Sequence, residues 1–320
     1  MRPPRTSIVR YVQRTVPAAG LLAFLALPAC HPENQVAKDL TAACEAGDSQ
    51  SCADLAVRLL EGRYVLQDNQ RAATLLDTAC KGDVAEGCAR LGSLYQRGTG
   101  VKADTARALA LFRQGCDGGA MAGCTSLGLR YKRGIGVAKD PARAVELFRQ
   151  ACDGDDLTAC AYLGMHYAAG EGVQPDAARA QELFKRTCDA GETAGCVGLG
   201  TLYASGEGIP RNDSLALALL TEACEENHPE GCLRLGQLYL EGQGVEQDMT
   251  RGAINVRTAC YWGSGEACVL IADLYQRGAG VRRSTDAADE FRERACRLGE
   301  TESCVPRPGA PPRPPEAPSA

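Results

Sequence analysis

The apolar and polar positions of this chain repeat with a fixed step. In residues 85–120, AEGCARLGSLYQRGTGVKADTARALALFRQGCDGGA, Leu91, Leu94 and Tyr95 fall at helical spacing. A break follows at Gly98-Thr99-Gly100-Val101. A second stripe, Ala106, Leu109, Ala110 and Phe112, begins after Asp104. The unit reads as helix A, a glycine turn and helix B. Counted from residue 49 in steps of 36, seven such units run to residue 300. A period of this length marks a repeat architecture, so the expected fold is an all-α solenoid of helix pairs.

The turns repeat as faithfully as the stripes. Helix B opens on Asp68, Asp104, Asp140, Asp176, Asn212, Asp248 or Ser284. Each has a side-chain oxygen able to accept from the free amides of a first helical turn. Gly47, Asp83, Gly119, Asp155, Gly191, Asn227, Gly263 and Gly299 stand three residues past a cysteine. All are types that tolerate the left-handed backbone on which helices often end. Gly92, Gly128, Gly164, Gly200 and Gly236 recur inside helix A. Each costs about 1 kcal/mol against alanine, and close helix approach is the expected return. Alanine replaces them at Ala56 and Ala272, in the end units. Tyr64 stands where other units have a turn glycine. Atypical end units are expected of caps.

The 17 cysteines follow the same ruler. Sixteen fall in pairs eight residues apart: Cys44 and Cys52, Cys80 and Cys88, Cys116 and Cys124, Cys152 and Cys160, Cys188 and Cys196, Cys224 and Cys232, Cys260 and Cys268, Cys296 and Cys304. Cys30 is left over. Short C-x-x-C knuckles and clustered histidines are missing, which argues against metal binding and against any cofactor. Counting cysteines does not fix connectivity, but every unit needs the same closure. The expectation is eight local disulfides joining helix B of one unit to helix A of the next, in an oxidising compartment.

The first 29 residues carry Arg2, Arg5, Arg10 and Arg14 and no acid, then an apolar stretch to Leu27-Pro28-Ala29-Cys30. This is a secretory layout, and its last four residues resemble a bacterial lipobox with Cys30 as the lipidated residue. An ordinary cleaved signal and a mitochondrial presequence are the alternatives. No apolar run reaches the roughly 18 residues of a membrane span. Without the leader the chain has 31 basic and 40 acidic residues, a net of −9, which argues against a nucleic-acid partner. The expected division is a leader at 1–29, a lipidated N-terminus with a half-unit helix at 30–48, seven repeats with a C-terminal cap at 49–304, and a proline-rich extended tail at 305–320.

The run C-x-x-L-G-x-L-Y-x-x-G-x-G-V at Cys88–Val101, with the cysteine ending helix B, resembles the Sel1-like repeat, a relative of the tetratricopeptide repeat. The C-x7-C spacing narrows the resemblance to the Helicobacter cysteine-rich protein type, over residues 40–304. The resemblance implies a right-handed superhelix whose helices A line a concave binding face. Some members carry a β-lactamase or penicillin-binding label, and a mitochondrial oxidase-assembly factor shares the repeat. Those labels supply the alternative functions: a weak β-lactamase-like hydrolase, a binder of peptidoglycan fragments, or an intermembrane-space assembly factor.

Catalytic motifs do not support an enzyme. No serine has lysine three residues on, as a penicillin-recognising serine enzyme requires. His31, His166 and His228 are the only histidines and lie in separate segments. His228 before Pro229 is expected to be solvated, and His166 to be packed or half-exposed. The stripe Tyr95, Tyr131, Tyr167, Tyr203, Tyr239 and Tyr275 reads as packing. Trp262 is expected to cover the neighbouring disulfide, with an exposed contact as the alternative.

Positions two, five and eight after the helix A cysteine change chemistry from unit to unit and share one face. We expect this face to bind a protein or extended peptide. Leu129, Tyr162 and Met165 would form an apolar anchor, flanked by Arg90, Lys132 and Arg234. The protein is expected to be a monomeric, lipid-anchored scaffold of the bacterial cell envelope.

Overall fold

A computed structural model describes residues 32–304 except Tyr64. The leader, Cys30, His31, Tyr64 and the tail at 305–320, with the expectations attached to them, lie outside the described residues. The chain forms α1 (Pro32–Glu45), α2 (Ser49–Glu61), α3 (Asn69–Lys81), α4 (Ala85–Arg97), α5 (Thr105–Asp117), α6 (Met121–Arg133), α7 (Pro141–Asp153) and α8 (Leu157–Ala169). It continues through α9 (Ala177–Asp189), α10 (Thr193–Ser205), α11 (Asp213–Glu225), α12 (Pro229–Glu241), α13 (Met249–Tyr261), α14 (Gly265–Arg277) and α15 (Thr285–Arg297). A 3₁₀ turn, Thr301–Cys304, follows. No strand occurs among the described residues. Even-numbered helices are helix A of each unit and odd-numbered ones helix B, and each packs on its sequence neighbours.

Local chemistry sets each boundary. The seven helix B caps accept from the first-turn amides at 2.9–3.2 Å, from Asp68 to Arg71 N through Ser284 to Ala287 N. Pro141 sits at the start of α7, where its missing N–H removes no helical bond. The turn from B to A passes through a left-handed residue, including Asp83, Asp155 and Asn227 with φ of 62–64°. Gly172 at φ +72° meets a second demand: a Cβ there would stand 2.3 Å from the Pro141 carbonyl carbon. The glycine turn of one unit thus rests on the start of the preceding helix B.

The glycines inside helix A meet the ring or branched side chain of their own helix B. A Cβ on Gly92 would approach Phe112 to 2.8 Å, one on Gly128 would approach Phe148 to 2.7 Å, and one on Gly236 would approach Val256 to 2.7 Å. Phe112 and Phe148 are fully buried as a result. A continuous apolar core runs from Ala108 in α5 to Leu202 in α10 and the following Ile209. It is bounded by further clusters towards each end.

All eight expected disulfides are formed. Cys44 bonds to Cys52, Cys80 to Cys88, Cys116 to Cys124 and Cys152 to Cys160. Cys188 bonds to Cys196, Cys224 to Cys232, Cys260 to Cys268 and Cys296 to Cys304. Their Cα atoms are 4.4–4.9 Å apart. Seven of them join a helix B to the next helix A, and the eighth joins α15 to the terminal 3₁₀ turn. Cys52, Cys124, Cys232 and Cys268 are fully buried near the starts of their helices A, whereas Cys196 of α10 is half-buried. Polar links between units add to the disulfides. Thr125 donates to Asp156 at 2.7 Å, Arg186 pairs with Asp155 at 2.6 Å, and Arg294 donates to the Cys260 carbonyl at 3.2 Å. So many disulfides suit an oxidising, extracytoplasmic environment. No helix among the described residues is long and apolar enough to cross a membrane.

Candidate functional site

The stacking of α8, α10 and α12 leaves a groove of about 580 Å³ on the helix A side. Met165, Ala168 and Ala169 of α8 form one wall. Val197, Gly198, Thr201 and Leu202 of α10 form its centre, and Glu230 and Arg234 of α12 close the far wall. Phe184, reaching in from α9, makes the floor. The groove is apolar because of α8 and α10 themselves. LTACAYLGMHYAA and TAGCVGLGTLYAS contain no Asp, Glu, Lys or Arg. Helices apolar all round are normally covered on all sides. Here one side lies open.

The six residues expected on the binding face fall into four places. Met165 and Arg234 come together across the groove. Lys132 and Tyr162 form a second group: the ammonium lies 5.2 Å from the ring centroid, and that ring stacks on Phe148 at 5.3 Å. Leu129 packs half-buried against the core, as do Tyr162 and Met165. Arg90 lies apart, with Ser93 and Arg97 in a smaller hollow between α4 and its neighbours, where it pairs with Glu86 at 2.9 Å. Arg234 is likewise engaged, with Glu230 at 2.6 Å and Gln237 at 2.9 Å.

Ala168, Gly198 and Thr201 lie on the expected face without having been expected as anchors, and Val197 lies outside its pattern, although the absence of charge in residues 157–169 and 193–205 was there to be read. A Cβ on Gly198 would stand 2.5 Å from the Phe184 ring. The bare backbone at this position allows the ring to sit directly beneath it.

His166 is packed, with 1% of its surface exposed. Its Nδ1 lies 2.7 Å from the Glu171 carbonyl, which can only accept, so Nδ1 carries the proton. Nε2 is buried without a partner. Burial pushes its pKa below the ordinary imidazole value, and the Lys132 and Lys139 charges add to that against the Glu171 carbonyl and carboxylate. His228 is not simply solvated: it is half-buried and caps α12, accepting from Gly231 N at 3.4 Å. The tyrosines pack as expected. Arg107 covers Tyr95 at 4.7 Å, and Arg149 and Arg179 both donate to the Tyr167 hydroxyl. Trp262 takes the exposed position given as its alternative. It ends α13 with 52% of its surface exposed, while Arg294 covers Tyr261 beside it. No group of three or more His, Cys, Asp or Glu side chains among the described residues is placed to hold a metal.

Comparison with known proteins agrees with this architecture. The chain is similar to a Sel1 repeat protein from Oxalobacter formigenes, with 21% identity and a TM-score of 0.64 over 82% of this chain and 99% of that one. It is similar to a protective antigen of uropathogenic Escherichia coli strains with an SLR fold, with 24% identity and a TM-score of 0.58 over 83% of this chain. It spans 57% of that antigen's length. It shares 29% identity with Helicobacter pylori cysteine rich protein B over 39% of this chain and 90% of that one, with a TM-score of 0.34. No curated protein matches the sequence. The Sel1 repeat itself matches seven times, at residues 49–84, 85–119, 122–156, 157–192, 193–228, 229–260 and 265–300, and with these matches covering most of its length the chain belongs to the Sel1 repeat family.

Proposed function

We propose that the chain is a non-enzymatic interaction scaffold of the bacterial cell envelope, held to the membrane by lipid on Cys30 and capturing an extended segment of a partner protein on its helix A face. Sel1 repeat proteins mediate protein–protein interaction, and this reading gives that general role a location. The observation that carries it is the open groove formed by two uncharged helices, α8 and α10, over Phe184. Burying about 100 Å² of apolar surface there contributes roughly 2.5 kcal/mol. A segment that also meets Tyr162 and Leu129 gains more.

Site-specific photo-crosslinking tests the location. A benzophenone side chain at Ala168 should yield one dominant adduct from native envelopes, and one at Arg113 on helix B should not. Tyr162→Asp with Met165→Asp should remove the adduct while leaving the helical circular dichroism intact. Equal labelling from both sites, or an adduct indifferent to the double variant, would remove the groove as the site. Metabolic palmitate labelling that persists in Cys30→Ser would overturn the anchor.

A further inference from the structure

The groove has unequal flanks. Beyond its α8 wall, outside the lining residues, stands Lys132 over the Tyr162 ring, half-buried, with no hydrogen bond or ion pair among the described residues. Burial pushes its pKa down, and Arg133 and Lys139 act in the same direction against Glu171. Glu171 is itself shared with Lys139, 4.0 Å away. Two residues back on α6, the Arg130 Nε is buried without a partner. On the other side the Glu207 carboxylate makes no ion pair among the described residues, while Glu230 and Arg234 neutralise each other. The face therefore runs from a half-buried cation at α6 that forms no ion pair, across uncharged α8 and α10, to an exposed, unpaired anion after α10. A desolvated charge without a counterion is costly, and a partner that supplies one recovers that cost.

We infer that Lys132 is an anion subsite of the groove, receiving the side-chain carboxylate of an aspartate or glutamate in the bound segment while a bulky apolar residue of the same segment enters over Phe184. The inference rests on the groove being the binding site. It assigns the partner's chemistry and its direction: acid towards α6, apolar anchor at Met165 and Gly198, and a basic residue favoured towards Glu207. The ammonium is a point charge above the Tyr162 ring, so it selects charge sign rather than a planar geometry. Tyr162 connects the two subsites, since it touches Lys132 and stands one helical turn before Met165 on α8.

Selection from a displayed library of random 12-residue peptides tests this, using the full-length oxidised protein and its Lys132→Glu, Lys132→Met and Met165→Asp variants. The expected result is enrichment of Asp or Glu at a fixed offset from Leu, Met, Phe or Trp. Lys132→Glu should reverse the preference at that offset to Lys or Arg, and Lys132→Met should abolish it, both keeping the apolar anchor. With one enriched peptide labelled for fluorescence anisotropy, Lys132→Met should weaken binding about tenfold. The loss should vanish when the peptide's acid is changed to its amide, the signature of a direct pair. Enrichment of the apolar anchor without an acid, or binding unaffected by Lys132→Met, would overturn the anion subsite and leave the groove reading standing. Peptides whose binding ignores Met165→Asp, or no enrichment at all, would overturn the groove reading and this inference with it.

Discussion

Gly198 of α10 lies so close over Phe184 of α9 that a Cβ on it would stand 2.5 Å from the ring. Gly164 of α8 meets the same Cδ1–Cε1 edge of that ring, where a Cβ would stand 2.7 Å away. Alanine for glycine within a helix normally gains about 1 kcal/mol. Overpacking at a ring that two glycines already meet costs about 1–3 kcal/mol. Gly198→Ala is therefore expected to lower the urea midpoint, not raise it, and to weaken capture in the groove. A raised midpoint would mean that Phe184 moves aside freely and that the floor of the groove is soft.

The disulfides differ in protection. Cys152 and Cys160 are 2% and 0% exposed between α7 and α8. Cys304 is exposed on the terminal 3₁₀ turn. With graded dithiothreitol followed by alkylation and mass spectrometry, Cys296 and Cys304 should be modified at the lowest reductant, with helicity unchanged. The inner pairs should follow together as helicity is lost. Closing so short a loop contributes about 2.5 kcal/mol in the chain-entropy account, so Cys152→Ala with Cys160→Ala should lose about that much. Modification of the inner pairs first would show that packing does not shield them.

What could be read from the sequence follows how local each cause is. Asp104 caps α5 and Asp155 takes a left-handed φ because the chemistry lies within a few residues of the effect. The helix A glycines were readable as close approaches, but that Gly92 meets Phe112 needed the pairing of α4 with α5. The binding face was partly readable. Its residues lie on the expected helices, yet only the stacking of α8, α10 and α12 joins Met165 to Arg234 and leaves Arg90 outside. His228 as a cap was missed, and Trp262 as an exposed residue was only the alternative reading, for a shared reason. The residue before helix A varies from unit to unit (Val84, Ala120, Glu192, His228), and Glu226, Trp262 and Leu298 all depart from the small residues at the end of helix B, so internal comparison offered no fixed pattern for either position.

Trp262 supplies a direct optical check, being the only tryptophan in the chain. With half of its surface in water, the folded oxidised protein should emit at nearly the wavelength of free indole and be quenched readily by acrylamide. Unfolding should change the emission little. A blue-shifted, poorly quenched signal would show that something covers this turn.

His166 sets a pH dependence whose sign follows from its burial. Its folded pKa lies below the unperturbed 6.5, with burial the leading cause. Below pH 6.5 the unfolded chain therefore binds a proton that the folded chain refuses. Stability is full above that value and falls as the pH drops below it, by at most about 1.4 kcal/mol per pH unit for this one group. His228, also lowered chiefly by burial, acts in the same direction. Carboxylates add their own acid dependence at lower pH, so the informative quantity is the difference between the wild type and His166→Leu. Urea denaturation at pH 7.5, 6.5, 5.5 and 5.0 should show the variant losing less stability than the wild type across the lower three values. At pH 7.5 the variant gives up the Glu171 hydrogen bond, worth about 1 kcal/mol, but removes an unpartnered buried nitrogen. Parallel curves for the two proteins would mean that His166 accepts its proton in the folded state, and that its Nε2 finds a partner there.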